Sequence, residues 1–242
     1  MIGLLAAFQT ALLFPRALVG PAPDLPDSTI RLELPLEGGD RLHGVRIMGR
    51  DPARPVILCF GGNAWNAEAM ALFLHQIAPE HDVVCFHYRG YAPSTGRPSA
   101  QALMADAVAI HDLIAPDGSG VIAVGFSIGS GVAAHLAAER DIARVVLVTP
   151  FDSLAAVARQ LYPFAPVGLL FRHEMNPKQA LARSHADIHL ILATQDEVIP
   201  PARAEALAQA LPQAQIARIA SGHNAIYGDP DFIAALRAAL DL

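Results

Sequence analysis

The chain predicts an α/β fold, with a mostly parallel central sheet, helices on both faces and an antiparallel hairpin at the N-terminal side. Three observations lead there. Short apolar runs alternate with helix-favouring stretches. Runs of that kind are strands buried on both faces, and repeated βα units imply parallel pairing. Apolar residues make up 53% of the sequence and charged ones only 17%, which suits a sheet covered on both sides better than a surface-rich binding module. At 242 residues, one large core is the expectation.

Residues 1–28 read as an N-terminal apolar segment and linker, and 29–242 as the folded domain. "MIGLLAAFQTALLFPR" is interrupted by Gln9 and Thr10 and ends at Pro15-Arg16, short of the roughly 20 residues a spanning helix needs. It has no positive n-region and no clear cleavage site, which argues against a signal peptide. Two readings of residues 1–14 stay open: a packed or frayed helix, or an interfacial helix making peripheral membrane contact. The proline- and aspartate-rich stretch 21–27 reads as the linker.

Residues 29–36 alternate through Ile30, Leu32, Leu34 and Leu36, and after Gly38-Gly39-Asp40 a second strand covers 42–48. The pair is a hairpin, and Pro35 marks its first strand as an edge. From there strand 56–60, helix 66–77, strand 82–88, helix 100–114 and strand 120–126 follow in turn. A helix after Ser127 leads to strands 143–148 and 188–193, helix 201–210, strand 214–219 and a helix from Pro230. The interval of about 150–185 breaks the rhythm: it is apolar around 161–167 but holds no clear strand. It reads as a small lid above the carboxyl ends of the strands, where open α/β sheets bind ligands, or equally as a surface connection with two short packing helices.

A net charge of −6 without clustered Lys and Arg excludes a nucleic-acid footprint. The two cysteines, Cys59 and Cys85, lie in apolar runs and form no C-x-x-C pair; buried reduced thiols fit a cytoplasmic location, with membrane association in the interfacial reading of 1–14. His185 and His189 are four apart but straddle a loop-to-strand junction, so their rings do not converge and no metal site is read.

The chemistry is concentrated at Gly125-Phe126-Ser127-Ile128-Gly129. A strand precedes Ser127 and an alanine-rich helix follows it, the context a nucleophile elbow requires, where the turn is strained and only glycine-sized neighbours leave room. A serine hydroxyl needs a base to take its proton and a third group to orient that base. In this architecture the order is serine, acid, histidine, with the side chains in loops after strand ends. Of the ten histidines, His223 in "ASGHNAIYGDP" meets those conditions, whereas His173 precedes the favoured acid. That acid is Asp196 in "LILATQDEVIP". Asp152 in "TPFDSL" is its rival, and Glu197 reads as solvated or as a charge at the following helix's N-terminus. For the oxyanion, the glycine-rich turn in "ILCFGGNAWN" lets the main-chain N–H of Asn63 point inward beside that of Ile128; a plain tight turn is the other reading.

Taken together these residues resemble the α/β-hydrolase superfamily. "GFSIGSG" looks like its nucleophile elbow and "FGGNAWN" like its oxyanion turn, with Gly61-Gly62 where the family usually has His-Gly. "YRGYAPSTGRPS" resembles a segment of the Bem-like, serine-aminopeptidase-type branch, and "DEVIP" and "SGHN" support Asp196 and His223. The resemblance implies the α/β-hydrolase fold and a serine hydrolase with Ser127, His223 and Asp196 as its triad. It would cleave an ester or thioester of a small hydrophobic acyl substrate through an acyl-enzyme, without a cofactor. A peptidase with the same triad and a non-catalytic ligand-binding protein are the rivals. Trp65 and Phe126 are the candidate acyl-pocket residues, core packing being the other reading of Trp65.

Overall fold

The computed structural model describes residues 9–116 and 120–241, so the first eight residues of the apolar N-terminal segment lie outside the described residues. Residues 9–13 are helical (α1). Eight strands follow: β1 (Ile30–Pro35), β2 (Arg41–Ile47), β3 (Val56–Phe60), β4 (Val83–Phe86), β5 (Val121–Phe126), β6 (Arg144–Val148), β7 (Asp187–Ala193) and β8 (Gln215–Ile219). They form one sheet in the order β1-β2-β4-β3-β5-β6-β7-β8. β1 and β2 pair antiparallel, β2 meets β4 antiparallel, and every later pairing is parallel.

The sheet has the expected α/β-hydrolase architecture, and each element follows from local chemistry. β3 to β7 are almost wholly buried because helices cover both faces. Within β5, Val121 and Ala123 face one core and Ile122, Val124 and Phe126 the other, as the two-residue period requires. The first face is covered by α3 (Ala100–Ile114), α4 (Ile128–Glu139) and α8 (Pro201–Ala210), and the second by α2 (Ala67–Ile77) and α9 (Pro230–Leu240). Side-chain caps start three of these helices: Asn66 for α2, Ser99 for α3 and Asp229 for α9. Cys59 and Cys85 are register partners on β3 and β4, buried and free.

Between β6 and β7 the chain forms three short helices, α5 (Leu154–Leu161), α6 (Val167–Leu170) and α7 (Pro177–Leu181). Ser153 caps α5 and Asn176 caps α7. No helix among the described residues is long and apolar enough to cross a membrane.

Candidate active site

Ser127 sits on the turn from β5 into α4 with φ 52° and ψ −118°, a region that side-chain-bearing residues rarely occupy. The flanking glycines make the turn possible: a Cβ on Gly125 would stand 2.4 Å from the Gly129 carbonyl oxygen, and one on Gly129 would stand 2.1 Å from that of Phe60. The strained conformation is held from outside. The Ser127 N–H donates to the Val148 carbonyl at 2.9 Å, and the Ser130 hydroxyl donates to the Ser127 carbonyl at 2.6 Å. Although Ser127 occupies the N-cap position of α4, its hydroxyl caps nothing and is free to face the histidine.

The loops after β7 and β8 bring Asp196 and His223 to that hydroxyl. His223 Nε2 lies 3.0 Å from Ser127 Oγ, and His223 Nδ1 lies 2.7 Å from Asp196 Oδ2. Asp196 is itself aimed, because its Oδ1 accepts the main-chain N–H groups of Val198 and Ile199 at 2.8 and 2.7 Å. Both Asp196 and His223 are buried. Asp152 is engaged elsewhere: it accepts from the Ser153 N–H and from Arg203 at 3.3 Å. Glu197 is solvent-exposed, as its place in the sequence suggested, yet it also has a role the sequence did not reveal. Its Oε2 accepts the His223 main-chain N–H at 2.9 Å, a bond that holds its carboxyl below the usual carboxylate range.

The glycine-rich turn after β3 faces the serine, and Asn63 and Ile128 line the same cavity as Ser127. Two tyrosines from the segment after β4 set the turn. Tyr88 donates to the Gly61 carbonyl at 2.7 Å and Tyr91 to the Asn63 carbonyl at 2.8 Å. Burial pushes both phenols well up, so both remain protonated donors. With its carbonyls held there, the turn leaves the Asn63 N–H without an acceptor among the described residues. The motif "YRGYAPSTGRPS" was legible only as a likeness; its physical role is this clamp.

The two expected acyl-pocket residues require a correction. Phe126 is fully buried in the core on the α2 and α9 face, stacked at 6.3 Å on Trp65, which also packs against Phe73 and Tyr227. Neither ring lines the cavity. The parity that Phe126 shares with Ile122 and Val124 was the signal that places it on that face.

The cavity above Ser127 has a volume of about 350 Å³. Its walls come from α5 and α6 (Leu154, Val157, Leu161, Leu170), from Ile199 and from Leu13 of α1. Among the described residues no charged side chain lines it. α1 is tied to the lid by the two residues that interrupt its apolar run. Gln9 donates to the Leu170 carbonyl at 3.0 Å and accepts from the Arg172 N–H at 2.8 Å. The Ala100 N–H donates to His173 Nδ1 at 3.4 Å, so the ring proton sits on Nε2 and donates to Thr10 Oγ1 at 2.7 Å. Residues 9–14 thus pack on the domain.

A sequence model of the alpha/beta hydrolase fold matches residues 54–170, which include Ser127. An uncharacterised protein of Mycobacterium tuberculosis is 33% identical over 188 residues, covering 74% of this chain and 65% of that protein. The lysophosphatidylserine lipase of Gallus gallus is 32% identical over 125 residues, 48% of this chain and 32% of that one. Among solved structures, the Pyrococcus furiosus esterase Pf2001 superposes with a TM-score of 0.70 at 15% identity, covering 92% of this chain and 95% of that chain. The chain has the α/β-hydrolase fold, and it spans 65% of the length of its mycobacterial relative.

Proposed function

We propose that the chain is a serine hydrolase that cleaves an ester or thioester of a hydrophobic acyl substrate through an acyl-enzyme. The observation that carries this reading is the hydrogen-bonded line Ser127–His223–Asp196 at the base of an apolar cavity. With the Nδ1 proton donated to Asp196, Nε2 accepts the serine proton as Oγ attacks the acyl carbonyl. The tetrahedral oxyanion receives the N–H groups of Asn63 and Ile128. His223 then returns the proton to the leaving alkoxide or thiolate oxygen or sulfur. Water, deprotonated by the same nitrogen, attacks the acyl-enzyme, releasing the acid and restoring the Ser127 hydroxyl.

The lipase activity of the avian relative and the esterase activity of the archaeal neighbour belong to those proteins and accord with this reading. The uncharged cavity wall disfavours an aminopeptidase, whose substrate carries a free ammonium that a carboxylate would pair. Intact mass after incubation with a fluorophosphonate tests the proposal. Adduct is expected on the wild type and on neither Ser127→Ala nor His223→Ala, and a folded wild type that stays unmodified would overturn it. Hydrolysis of acyl esters in preference to aminoacyl amides is the expected second result.

A further inference from the structure

The lid presents an apolar surface to solvent as well as to the cavity. Phe164 is 92% exposed and Leu169 83%, far more than the other large apolar side chains of the lid. Neither lines the cavity, but each is next to residues that do: Phe164 precedes Ala165, and Leu169 precedes Leu170. Leu12, Leu161, Tyr162 and Val198 are both exposed and part of the cavity wall, so the apolar surface runs from the mouth outward. Clustered exposure of this kind marks an interaction site, because scattered apolar side chains would not gather at one opening.

The charges on the same segment say what covers it. Between Asp152 and Glu174 the only ionised side chains are Arg159 and Arg172, both exposed, in a chain whose net charge is −6. An apolar tip flanked by guanidinium groups matches the boundary of a bilayer, with Phe164 and Leu169 among the acyl chains and the arginines at anionic headgroups. A second copy of this chain fits less well. A two-fold contact through this patch would set both pairs of arginines against each other and seal the mouth.

We propose that the α5–α6 rim docks on an anionic phospholipid bilayer, with Phe164 and Leu169 as its inserted residues. Docked in this way, the mouth opens onto the lipid, so an acyl ester passes from the bilayer to Ser127 without crossing water. The supply of substrate rests on the hydrolase reading; the docking does not. The inserted residues, Phe164 and Leu169, belong to the lid and not to residues 1–14, although Leu12 of α1 borders the same apolar surface.

Sedimentation of the full chain with vesicles of phosphatidylcholine alone, or mixed with phosphatidylglycerol, tests the docking. The wild type is expected to partition onto the mixed vesicles, and more weakly as salt is raised. Phe164→Ser with Leu169→Ser is expected to weaken that partitioning by about tenfold or more. Arg159→Glu with Arg172→Glu is expected to abolish the preference for the anionic mixture. An unchanged circular dichroism spectrum and denaturation midpoint in vesicle-free buffer establish that these variants are folded, and fluorophosphonate labelling of Ser127 is read separately. The proposal is overturned by a wild type that does not bind, by an apolar double variant that binds equally well, or by a solution dimer that the double variant dissolves. Failure of labelling in the wild type would remove the hydrolase reading and leave the vesicle result standing.

Discussion

Ser127 occupies a backbone conformation that costs on the order of 1–3 kcal/mol for a residue with a side chain, and its neighbours are what make it tenable. Gly129 has no latitude, since the atom its Cβ would meet at 2.1 Å is a main-chain oxygen of β3. Gly129→Ala is therefore expected to destabilise the fold by about 3 kcal/mol or more, read as a fall in the denaturation midpoint with an unchanged slope. A variant as stable as the wild type would show that the turn relaxes. Glu197 is a positioning residue: its carboxylate holds the main chain of His223. Glu197→Ala should therefore lower kcat severalfold while KM stays constant. Glu197→Gln keeps an acceptor oxygen and is expected to restore most of the rate. Equal losses in both variants would mean the negative charge, not the bond, is what matters.

At the scale of elements, the turn after β3 and the segment after β4 act together. Tyr91→Phe removes the donor to the Asn63 carbonyl and leaves the rest of a buried ring in place. The expected outcome is a roughly tenfold fall in kcat without a change in KM, because a loosened turn misaims the Asn63 N–H only where charge develops. A change confined to KM would remove the turn from the oxyanion role. The strands and main helices were readable from the chain because their signals are local: apolar runs, two-residue alternation and turn glycines and prolines. The clamp was not, because hydrogen bonds between Tyr88 and Gly61 and between Tyr91 and Asn63 span 27 and 28 residues and leave no mark in either segment alone. The tie between α1 and the lid is the same kind of case. Gln9 and Thr10 look like interruptions of an apolar helix until Leu170, Arg172 and His173 are placed against them.

At the scale of the whole molecule, burial sets the acid limit of stability. His75, His87, His135 and His173 are each held below their ordinary 6.5, in every instance first of all by desolvation. The unfolded chain takes up these protons near 6.5 while the folded chain does not, so their contribution is intact above that value. It is lost as the pH falls through the lowered folded values. Asp106 and Glu174, raised by burial from 3.8 and 4.5, act in the opposite sense, their contribution falling as the pH rises from those values. The denaturation midpoint is expected to fall between about pH 7.5 and about pH 5.5, and a midpoint that rises over that interval would contradict the desolvation argument.

By itself the sequence determined the order and type of the elements, the parallel sheet with its hairpin, and the identities of Ser127, Asp196 and His223 as the residues to watch. Periodicity, turn chemistry and position after strand ends are properties of short stretches. Only the tertiary structure decided which side chains share a space. It brought an acid, a histidine and a serine separated by up to 96 residues into one hydrogen-bonded line, turned Trp65 and Phe126 into the core beneath the sheet, and set the lid over an apolar cavity. The reason is physical: contacts between distant segments depend on how the faces of the sheet are covered, and that is settled by packing of the whole chain.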